Sequence, residues 1–347
     1  MPETVDTVRF VARLHPSSVA LSECAALALE NPFATEAYAR FREVTGDQTW
    51  TFELRDGDRL VDGCVGFERT GRMNRSLEVA SLPALPVDSP FWEGLLRACR
   101  RRHVTQLELN SFASTATAIP ALPGESWRRA RAEYVLDLDP DKPLDLSTNH
   151  RRSLARARGR GLTIRRSVTG AAAAEHDELM RSSMVRRAAR GEAVDVTSHE
   201  ETTRLLLASG AGELFQAVDG DVVLSSVLVL RSATGGYYQS AGTSPAGMEC
   251  GASPFLIASI AACLARDGAR RFNLGGAGPD NPGLQRFKSG FGAREIPLEA
   301  AGCCPSGAWR VALAARALRW RQRASSVVRV LRARHRPTSP AAASPTS

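Results

Sequence analysis

The segment GLQRFKSGFGAR, residues 283–294, places Lys288 between Phe287 and Phe291, just after the glycine-rich segment FNLGGAGPDN. The chain has one other lysine, Lys142, and all other Lys or Arg positions are arginine. A lysine fixed by aromatic neighbours can act as a point cation that stabilises an oxyanion or binds a phosphate. The alternative is a surface lysine beside two core phenylalanines. The residue types alone leave both interpretations open.

The segment GMECGASPF, residues 247–255, predicts a loop followed by a helix that begins at Ser253. Free N–H groups and the helix dipole make such a terminus suitable for an anion. Gly251, Ala252 and Ser253 are therefore candidate phosphate contacts. An ordinary N-cap is the alternative interpretation.

The segment GGYYQSAG, residues 235–242, predicts a strand. Because side chains alternate along a strand, Tyr237 and Tyr238 face opposite sides, and at most one can act in a cleft as a general acid or positioning group. We predict Tyr238 in that role. Gln239 beside it, and Gly275 and Gly276 of the glycine-rich turn, are predicted substrate contacts.

Other reactive side chains show no catalytic or metal-binding spacing. His150, His176 and His199 are predicted to lie at the surface or to cap helices, and no metal site is predicted. Glu249 and Asp280 could act as bases, but ordinary loop acids are the favoured interpretation. Seven cysteines without a CxxC pair predict reduced thiols, and Cys303 with Cys304 predicts a strand end rather than a redox pair.

Basic residues are concentrated in two segments. The nine arginines of residues 300–347, a segment without Asp or Glu, account for the net charge of +8. The segment HRRSLARARGRG, residues 150–161, predicts a helix that could bind phosphates of a tRNA acceptor end or a nucleotide-linked substrate, with a solvated helix face as the alternative. Its arginines are Arg151, Arg152, Arg156, Arg158 and Arg160, and Arg152 is the predicted substrate contact.

The end of the chain predicts a basic helical tail over 306–336 and a disordered end over 337–347. Three interpretations of the tail compete: packing on the rest of the protein, contact with an anionic membrane, and contact with RNA. The sequence has no segment with the features of a signal peptide and no apolar run of about 18 residues. We therefore expect a cytoplasmic protein, with peripheral membrane contact as the second interpretation for the tail.

An internal repeat gives the organisation of the chain. The segment that begins SPF at Ser89 aligns with the one that begins SPF at Ser253, with cysteines in register at Cys99 and Cys263. Upstream, each copy has a hairpin, with turns at Asp56-Gly57 and Asp219-Gly220. The repeat predicts two α+β units, residues 1–140 and 141–305, each with a mixed sheet flanked by helices.

This ordered series resembles the GNAT acyltransferase superfamily, and the pair of units resembles the Fem-type aminoacyltransferases. The similarity covers most of residues 30–300 and is densest in NHRRSLARARGRGLTIRRS, GYYQSAGTSPAGMECGASPF and GLQRFKSGFG. The superfamily pattern for the pyrophosphate of coenzyme A corresponds here to Met248, Gly251 and Ser253, of which Gly251 matches. The resemblance implies two tandem GNAT-like domains.

The same resemblance implies N-acyl transfer from a thioester or a tRNA ester to an amine. It places Phe287 and Lys288 at the substrate cleft and implies acyl-CoA as co-substrate, with aminoacyl-tRNA as the alternative donor. The expected acceptor is the amine of a small molecule or cell-envelope precursor, and DNA is not an expected partner. A non-catalytic scaffold in cell-envelope polymer assembly is the remaining alternative.

Overall fold

The computed structural model describes residues 8–306 except 73, 114, 115, 193, 195, 196 and 279. The predicted tail, apart from its first residue, and the predicted disordered end lie outside the described residues. Within the described part, no helix combines the length and the apolar composition that crossing a bilayer requires.

The first half of the chain contains six strands and three α-helices in its described part. The strands are Val8–Leu14 (β1), Gln48–Asp56 (β2), Arg59–Thr70 (β3), Arg75–Val79 (β4), Gln106–Asn110 (β5) and Glu125–Asp137 (β6). The helices are Ser18–Ala26 (α1), Glu36–Val44 (α2) and Pro90–Arg101 (α3).

The second half repeats this order with additional helices. Its helices are Thr148–Gly159 (α4), Gly170–Ala189 (α5), Glu200–Ala208 (α6), Pro245–Cys250 (α7), Ala252–Arg266 (α8) and Pro282–Ser289 (α9). Its strands are Thr163–Ser167 (β7), Gly212–Asp219 (β8), Val222–Arg231 (β9), Gly235–Thr243 (β10), Arg271–Gly276 (β11) and Arg294–Cys303 (β12).

The predicted α+β class and both predicted hairpins are confirmed. β2 and β3 pair around the turn after Asp56, and β8 and β9 pair around the turn after Asp219. The first SPF helix begins as predicted, since the Ser89 hydroxyl accepts a hydrogen bond from the Phe91 N–H.

The second SPF helix corrects the prediction that it begins at Ser253 after a loop. The residues before it form the short helix α7, whose N-cap is Ser244. Gly251 then adopts a left-handed conformation (φ 77°), and α8 begins at Ala252. Ser253 therefore lies in the first turn of α8 and does not cap it.

All twelve strands of the described part form one sheet, in the order β1-β2-β3-β4-β5-β12-β6-β11-β10-β9-β8-β7. The last strand of each half crosses to the other half: β6 pairs with β11, and β12 pairs with β5. These two strands also pair with each other, from Arg294 opposite Val135 to Cys303 opposite Glu125. The predicted boundary at 140/141 is thus bridged by an exchange of terminal strands.

Each half has its own apolar layers. In the first half, α3 packs on β2 through Leu95 and Phe52, while α1 packs on β3 through Leu21 and Val65. In the second half, α8 packs on one face of the sheet, while α5 and α6 pack on the other. The seven cysteines are free thiols, and Cys303 ends β12 as predicted.

We predict that Gly242→Ala destabilises the protein while Gly159→Ala does not. A Cβ at Gly242 would lie 2.3 Å from the backbone of Leu179 and Met180 in α5, whereas a Cβ at Gly159 meets nothing within 4 Å. Overpacking at Gly242 should lower the free energy of unfolding by about 2 kcal/mol or more. The change at Gly159 should be neutral or stabilising by up to about 1 kcal/mol. Urea denaturation measures both, and equal stability of the two variants would contradict the close approach of α5 to β10.

Candidate active site

The central strands of the second half separate and leave an opening in the sheet. The parallel strands β10 and β11 pair only where Gly235–Tyr237 lie opposite Arg271–Asn273. Beyond this point β10 continues beside β9, and β11 has a bulge opposite β6 between Asn273 and Gly276. The separation leaves backbone groups of β10 without a partner on β11, so they are available to a ligand.

A second bulge, in β10, changes which side chains of this strand face each side of the sheet next to the opening. The register with β9 shifts between Tyr238 and Ser240, so Gln239 is the extra residue. Tyr238 and Ala241 pack into the core beside α8, while Tyr237 packs into the core beside α5 and α6. The predicted contact Gln239 is exposed at this bulge.

Lys288 is buried at the opening, which excludes the surface-lysine interpretation. Asn281 caps α9 by accepting the Leu284 N–H at 3.0 Å, and the helix carries Lys288 inward to 6% exposure. The Lys288 Nζ donates to the carbonyl oxygen of Gly276 at 2.6 Å. The ring of Phe287 contacts His150 and Phe291, which fixes the helix on its other side.

Three polar atoms surround a small space above Gly275. A carbon atom placed where a Cβ of Gly275 would lie is 3.5 Å from the Tyr237 hydroxyl, 3.6 Å from the Tyr238 carbonyl oxygen and 3.8 Å from the Lys288 Nζ. These are ordinary van der Waals distances, so the space accommodates an atom of a ligand. Gly275 has φ 72°, a conformation that favours glycine and keeps the space open. The predicted Gly275, Gly276 and Lys288 are therefore brought together.

The structure corrects the choice of Tyr238 as the side chain that faces the cleft. Its ring packs in the core of the second half, where burial raises its pKa, and only its backbone oxygen borders the space. Tyr237 faces the space instead and contacts Phe33 and Phe112 from the first half. Burial, with a smaller contribution from the charge of Glu133, raises the pKa of Tyr237, so its hydroxyl stays a hydrogen-bond donor near neutral pH.

Glu133, which the sequence analysis missed, links β6 to this site. Its carboxylate accepts a hydrogen bond from Asn273 Nδ2 at 2.7 Å and pairs with Arg131. The Asn273 Oδ1 in turn accepts the N–H of Gly275 at 2.8 Å, which holds the bulge of β11. Glu133 lies in the half of the sequence opposite to Lys288, so no local spacing connects the two.

The charges of Lys288 and Glu133 influence one another. Burial lowers the pKa of Lys288 to about 8, and the negative charge of Glu133 opposes that shift. Burial also raises the pKa of Glu133, against the effects of Arg131, Asn273 and Lys288. Since a pKa of about 8 lies above neutral pH, most Lys288 side chains carry a positive charge at pH 7.

The predicted phosphate contacts at the start of α8 are covered by α4. A Cβ at Gly251 would lie 2.8 Å from the backbone oxygen of Ser153, and Ala252 is fully buried. The Arg156 guanidinium donates to the Glu249 carbonyl oxygen at 2.8 Å and joins α4 to α7. A phosphate could reach the N–H groups of Gly251 and Ala252 only after α4 moved, so this binding role stays a prediction.

The predicted arginine helix is confirmed as α4. Arg152 is exposed on this helix, and the atoms nearest to a Cβ of Gly275 belong to Tyr237, Tyr238 and Lys288. Arg160 pairs with Asp219 at 2.8 Å. Arg151 and Arg158 line a separate cavity of about 690 Å³ between α4, α8 and the segment 138–146. The substrate contact predicted for Arg152 stays a prediction.

The prediction of surface or capping histidines holds for exposed His199 and for His150, which is buried but caps the last turn of α9, and it is wrong for His176. His150 Nε2 lies 2.8 Å from the carbonyl oxygen of Phe287, and burial lowers the pKa of His150. His176 is fully buried between Ser226 and Ser240. The spacing of His150, Leu154 and Ala157 on one helix face is a signal that could have indicated burial. Glu249 and Asp280 are exposed, and Asp280 lies in a loop as expected, whereas Glu249 lies in α7 and not in the predicted loop.

The described residues of the first half contain no equivalent of this opening. β4 pairs with β5 from Ser76 to Val79 and ends there, so no strand continues past the pairing. After β4, residues 80–89 lead directly to α3. Between β5 and β6 the described residues form no helix that would correspond to α9. The opening that contains Lys288 therefore belongs to the second half, and Phe33 and Phe112 of the first half border it.

The chain is similar to known proteins in sequence over part of its length and in fold over most of it. The profile of a family described as an acetyltransferase (GNAT) domain matches residues 146–289. The crystal structure of FemX is similar, with a TM-score of 0.62, 11% identity, and coverage of 84% of this chain and 96% of FemX. A tandem GNAT protein from the clavulanic acid biosynthesis pathway has a TM-score of 0.48 and 12% identity, with coverage of 86% of this chain and 99% of that protein. Comparison with curated protein sequences gives no match.

The second half therefore matches a GNAT domain over residues 146–289, and these residues include the separated pair of parallel strands. The chain as a whole has the fold of a Fem-like GNAT protein, with tandem units in one sheet.

We predict that the Lys288 ammonium titrates near pH 8 and that Glu133→Gln lowers this pKa further. Removing the carboxylate removes the negative charge that favours the ammonium form. Lysine labelled with ¹³C and ¹⁵N gives only two Nζ signals, because the sequence has only Lys142 and Lys288, and Lys142→Arg assigns them. An unchanged or raised Lys288 pKa in Glu133→Gln would contradict the coupling, and the Lys142 signal serves as the internal reference.

Proposed function

We propose that this chain is an N-acyltransferase whose reaction takes place in the opening between β10 and β11. The observation that carries the proposal is the space above Gly275, with a buried ammonium and two oxygen atoms within 4 Å of one point. A donor carbonyl placed there would have a cation on one side and a hydroxyl donor on another. That arrangement suits a reaction in which negative charge develops on the carbonyl oxygen.

In the proposed mechanism, the substrate amine attacks the donor carbonyl directly. The Lys288 ammonium and the Tyr237 hydroxyl stabilise the oxyanion, and unpaired N–H groups of β10 add further donors. The Tyr238 carbonyl oxygen is placed to accept a hydrogen bond from the attacking amine. The tetrahedral intermediate then expels the thiolate or alkoxide of the donor, and the surplus proton of the amine passes to water.

Acyl-CoA is the first candidate donor because GNAT domains typically use it. In this proposal the acyl chain enters between the separated strands. The phosphates would bind near the start of α8, at Gly251, Ala252 and Ser253, after displacement of α4. The required movement breaks the contact of Arg156 with the Glu249 carbonyl oxygen.

Aminoacyl-tRNA is the second candidate donor, and the position of α4 favours it. With α4 seated on Gly251, the helix N-terminus is closed to a pyrophosphate, whereas Arg152 on α4 stays exposed to an external polyanion. The similarity to FemX makes a small-molecule or cell-envelope precursor amine the proposed acceptor. A cytoplasmic location, with peripheral membrane contact through the tail, is proposed with it.

We predict that Lys288→Met lowers kcat by about 100- to 1000-fold, the usual effect of removing one oxyanion donor. The matched control is Lys142→Met, since the Lys142 side chain is 80% exposed and its one ion pair within the described residues is with Asp139 at 3.1 Å. Transfer to a panel of amines from acyl-CoA and from charged tRNA gives the rates. Equal activity of the two variants would remove Lys288 from the mechanism, and an unchanged cellular role of Lys288→Ala would favour the scaffold alternative.

The two donors predict different responses of the melting temperature. If acyl-CoA is the donor, saturating acetyl-CoA should raise the melting temperature by a few degrees, and Arg156→Ala should increase the response by releasing α4. If charged tRNA is the donor, tRNA binding should weaken steeply with salt and with Arg152→Glu. Arg160→Ala is the control for Arg156→Ala, since Arg160 also lies at the end of α4 but pairs with Asp219 instead of α7. A response to charged tRNA alone would exclude acyl-CoA.

A further inference from the structure

A chain of three hydrogen-bonding side chains lies beside the opening and has no part in the mechanism above. His176 of α5 is fully buried, with Nδ1 2.9 Å from the Ser226 hydroxyl and Nε2 2.9 Å from the Ser240 hydroxyl. Ser226 on β9 is also fully buried, whereas Ser240 on β10 is half-buried. The direction of these two hydrogen bonds determines whether the Ser240 hydroxyl can donate a hydrogen bond to a ligand.

The His176 ring is neutral at physiological pH. Burial lowers the pKa of His176 to about 4, and the nearby charge of Asp177 opposes that shift only in part. A neutral imidazole has one N–H donor and one acceptor nitrogen. One of the two serines therefore donates to the ring, and the other accepts from it.

Hydrogen-bond satisfaction assigns the direction. Among the described residues, the His176 ring is the single partner of the Ser226 hydroxyl. If Nδ1 carried the proton, the buried hydroxyl hydrogen of Ser226 would have no acceptor, which costs about 1–3 kcal/mol. Ser226 therefore donates to Nδ1, and the Nε2–H donates to the Ser240 oxygen.

This direction leaves the hydrogen of the Ser240 hydroxyl free for another acceptor. Because Nε2 already carries a proton, the ring cannot act as a base toward Ser240, so the arrangement does not make a nucleophilic serine. Ser240 lies past the last paired residue of β10 and β11, just after the bulge at Gln239. It faces α5, as does Tyr237, whose hydroxyl borders the space above Gly275.

We propose that Ser240 is a substrate-binding donor for an oxygen that only accepts hydrogen bonds, such as a carbonyl or carboxylate oxygen, and that Ser226 and His176 fix it in that role. The inference rests on the proposed acyl transfer and adds a specificity element on the α5 side of the opening. An ammonium group fits this subsite less well, since it could use only the second lone pair of the Ser240 oxygen and would leave the hydroxyl hydrogen without an acceptor.

The first experiment measures the tautomer of His176 without any substrate. The protein has six histidines, and ¹⁵N labelling with His176→Gln assigns the relevant ring. We expect a protonated Nε2 and an unprotonated Nδ1 at pH 7. A protonated Nδ1 would overturn the assignment and would point to a basic Nε2 next to Ser240.

The second experiment uses acetate and acetyl-CoA as probes of the subsite. Either probe should shift the His176 Nε2 signal in the unmodified protein, and neither should do so in Ser240→Ala. Absence of a shift with both probes in the unmodified protein would overturn the proposal. This result does not depend on turnover, so it is separable from a failure of the proposed transferase activity.

The third experiment applies once transfer is measured. Ser240→Ala should lower kcat/KM by roughly three- to tenfold, mainly through KM, and Ser240→Thr should restore most of it by keeping the hydroxyl. Ser225→Ala is the control, since Ser225 is a fully buried serine of β9 that bonds to Thr243 and Gly242 instead of His176. An unchanged kcat/KM in Ser240→Ala, or an equal loss in Ser225→Ala, would reject the role of Ser240.

Discussion

The site depends on keeping an ammonium group out of water. Moving a charge into a protein interior is costly unless it is paired and hydrogen-bonded. Here the Gly276 carbonyl oxygen accepts a hydrogen bond from Lys288, and Glu133 supplies a compensating negative charge. Because Glu133 belongs to β6, this compensation exists only when the last strand of the first half lies next to β11. The exchange of strands therefore supports the electrostatics of the site as well as the sheet.

The same strand also controls the shape of the opening. Glu133 holds Asn273, and Asn273 holds the N–H of Gly275 within the bulge of β11. The bulge turns Gly275 toward the Tyr237 hydroxyl and the Lys288 ammonium. Glu133 and Asn273 therefore both have hydrogen-bond partners. These bonds give the opening a defined geometry.

Local patterns in the sequence predicted much of the fold. The two SPF segments, the two hairpin turns and the glycine-rich turn before Lys288 all depend on residues close together in the chain, and the structure contains each of them. The burial of Lys288 did not follow from its neighbours, which left a surface lysine open, and only the resemblance to the Fem-type family placed it at the cleft. The starting point of α8 was not predicted, because the preceding residues could form either a loop or the short helix α7.

The missed features depend on contacts between distant parts of the chain. Glu133 belongs to the site because it bonds Asn273 of β11, and Tyr237 is positioned by contacts with Phe33 and Phe112. His176 of α5 is held by serines on β9 and β10. The choice between Tyr237 and Tyr238 required knowledge of which face the first half covers. The closure of the α8 terminus required the position of Ser153 on α4. Periodicity describes one element at a time and cannot supply these pairings.

The place of β12 has a consequence for synthesis of the protein. On the ribosome, β5 emerges nearly 200 residues before the strand that pairs with it, since Asn110 meets Ala300. Until then β5 presents an unpaired edge, the kind of surface that recruits strands from other chains. A nascent polypeptide halted before residue 294 would keep that edge open, so truncated products should be prone to aggregation.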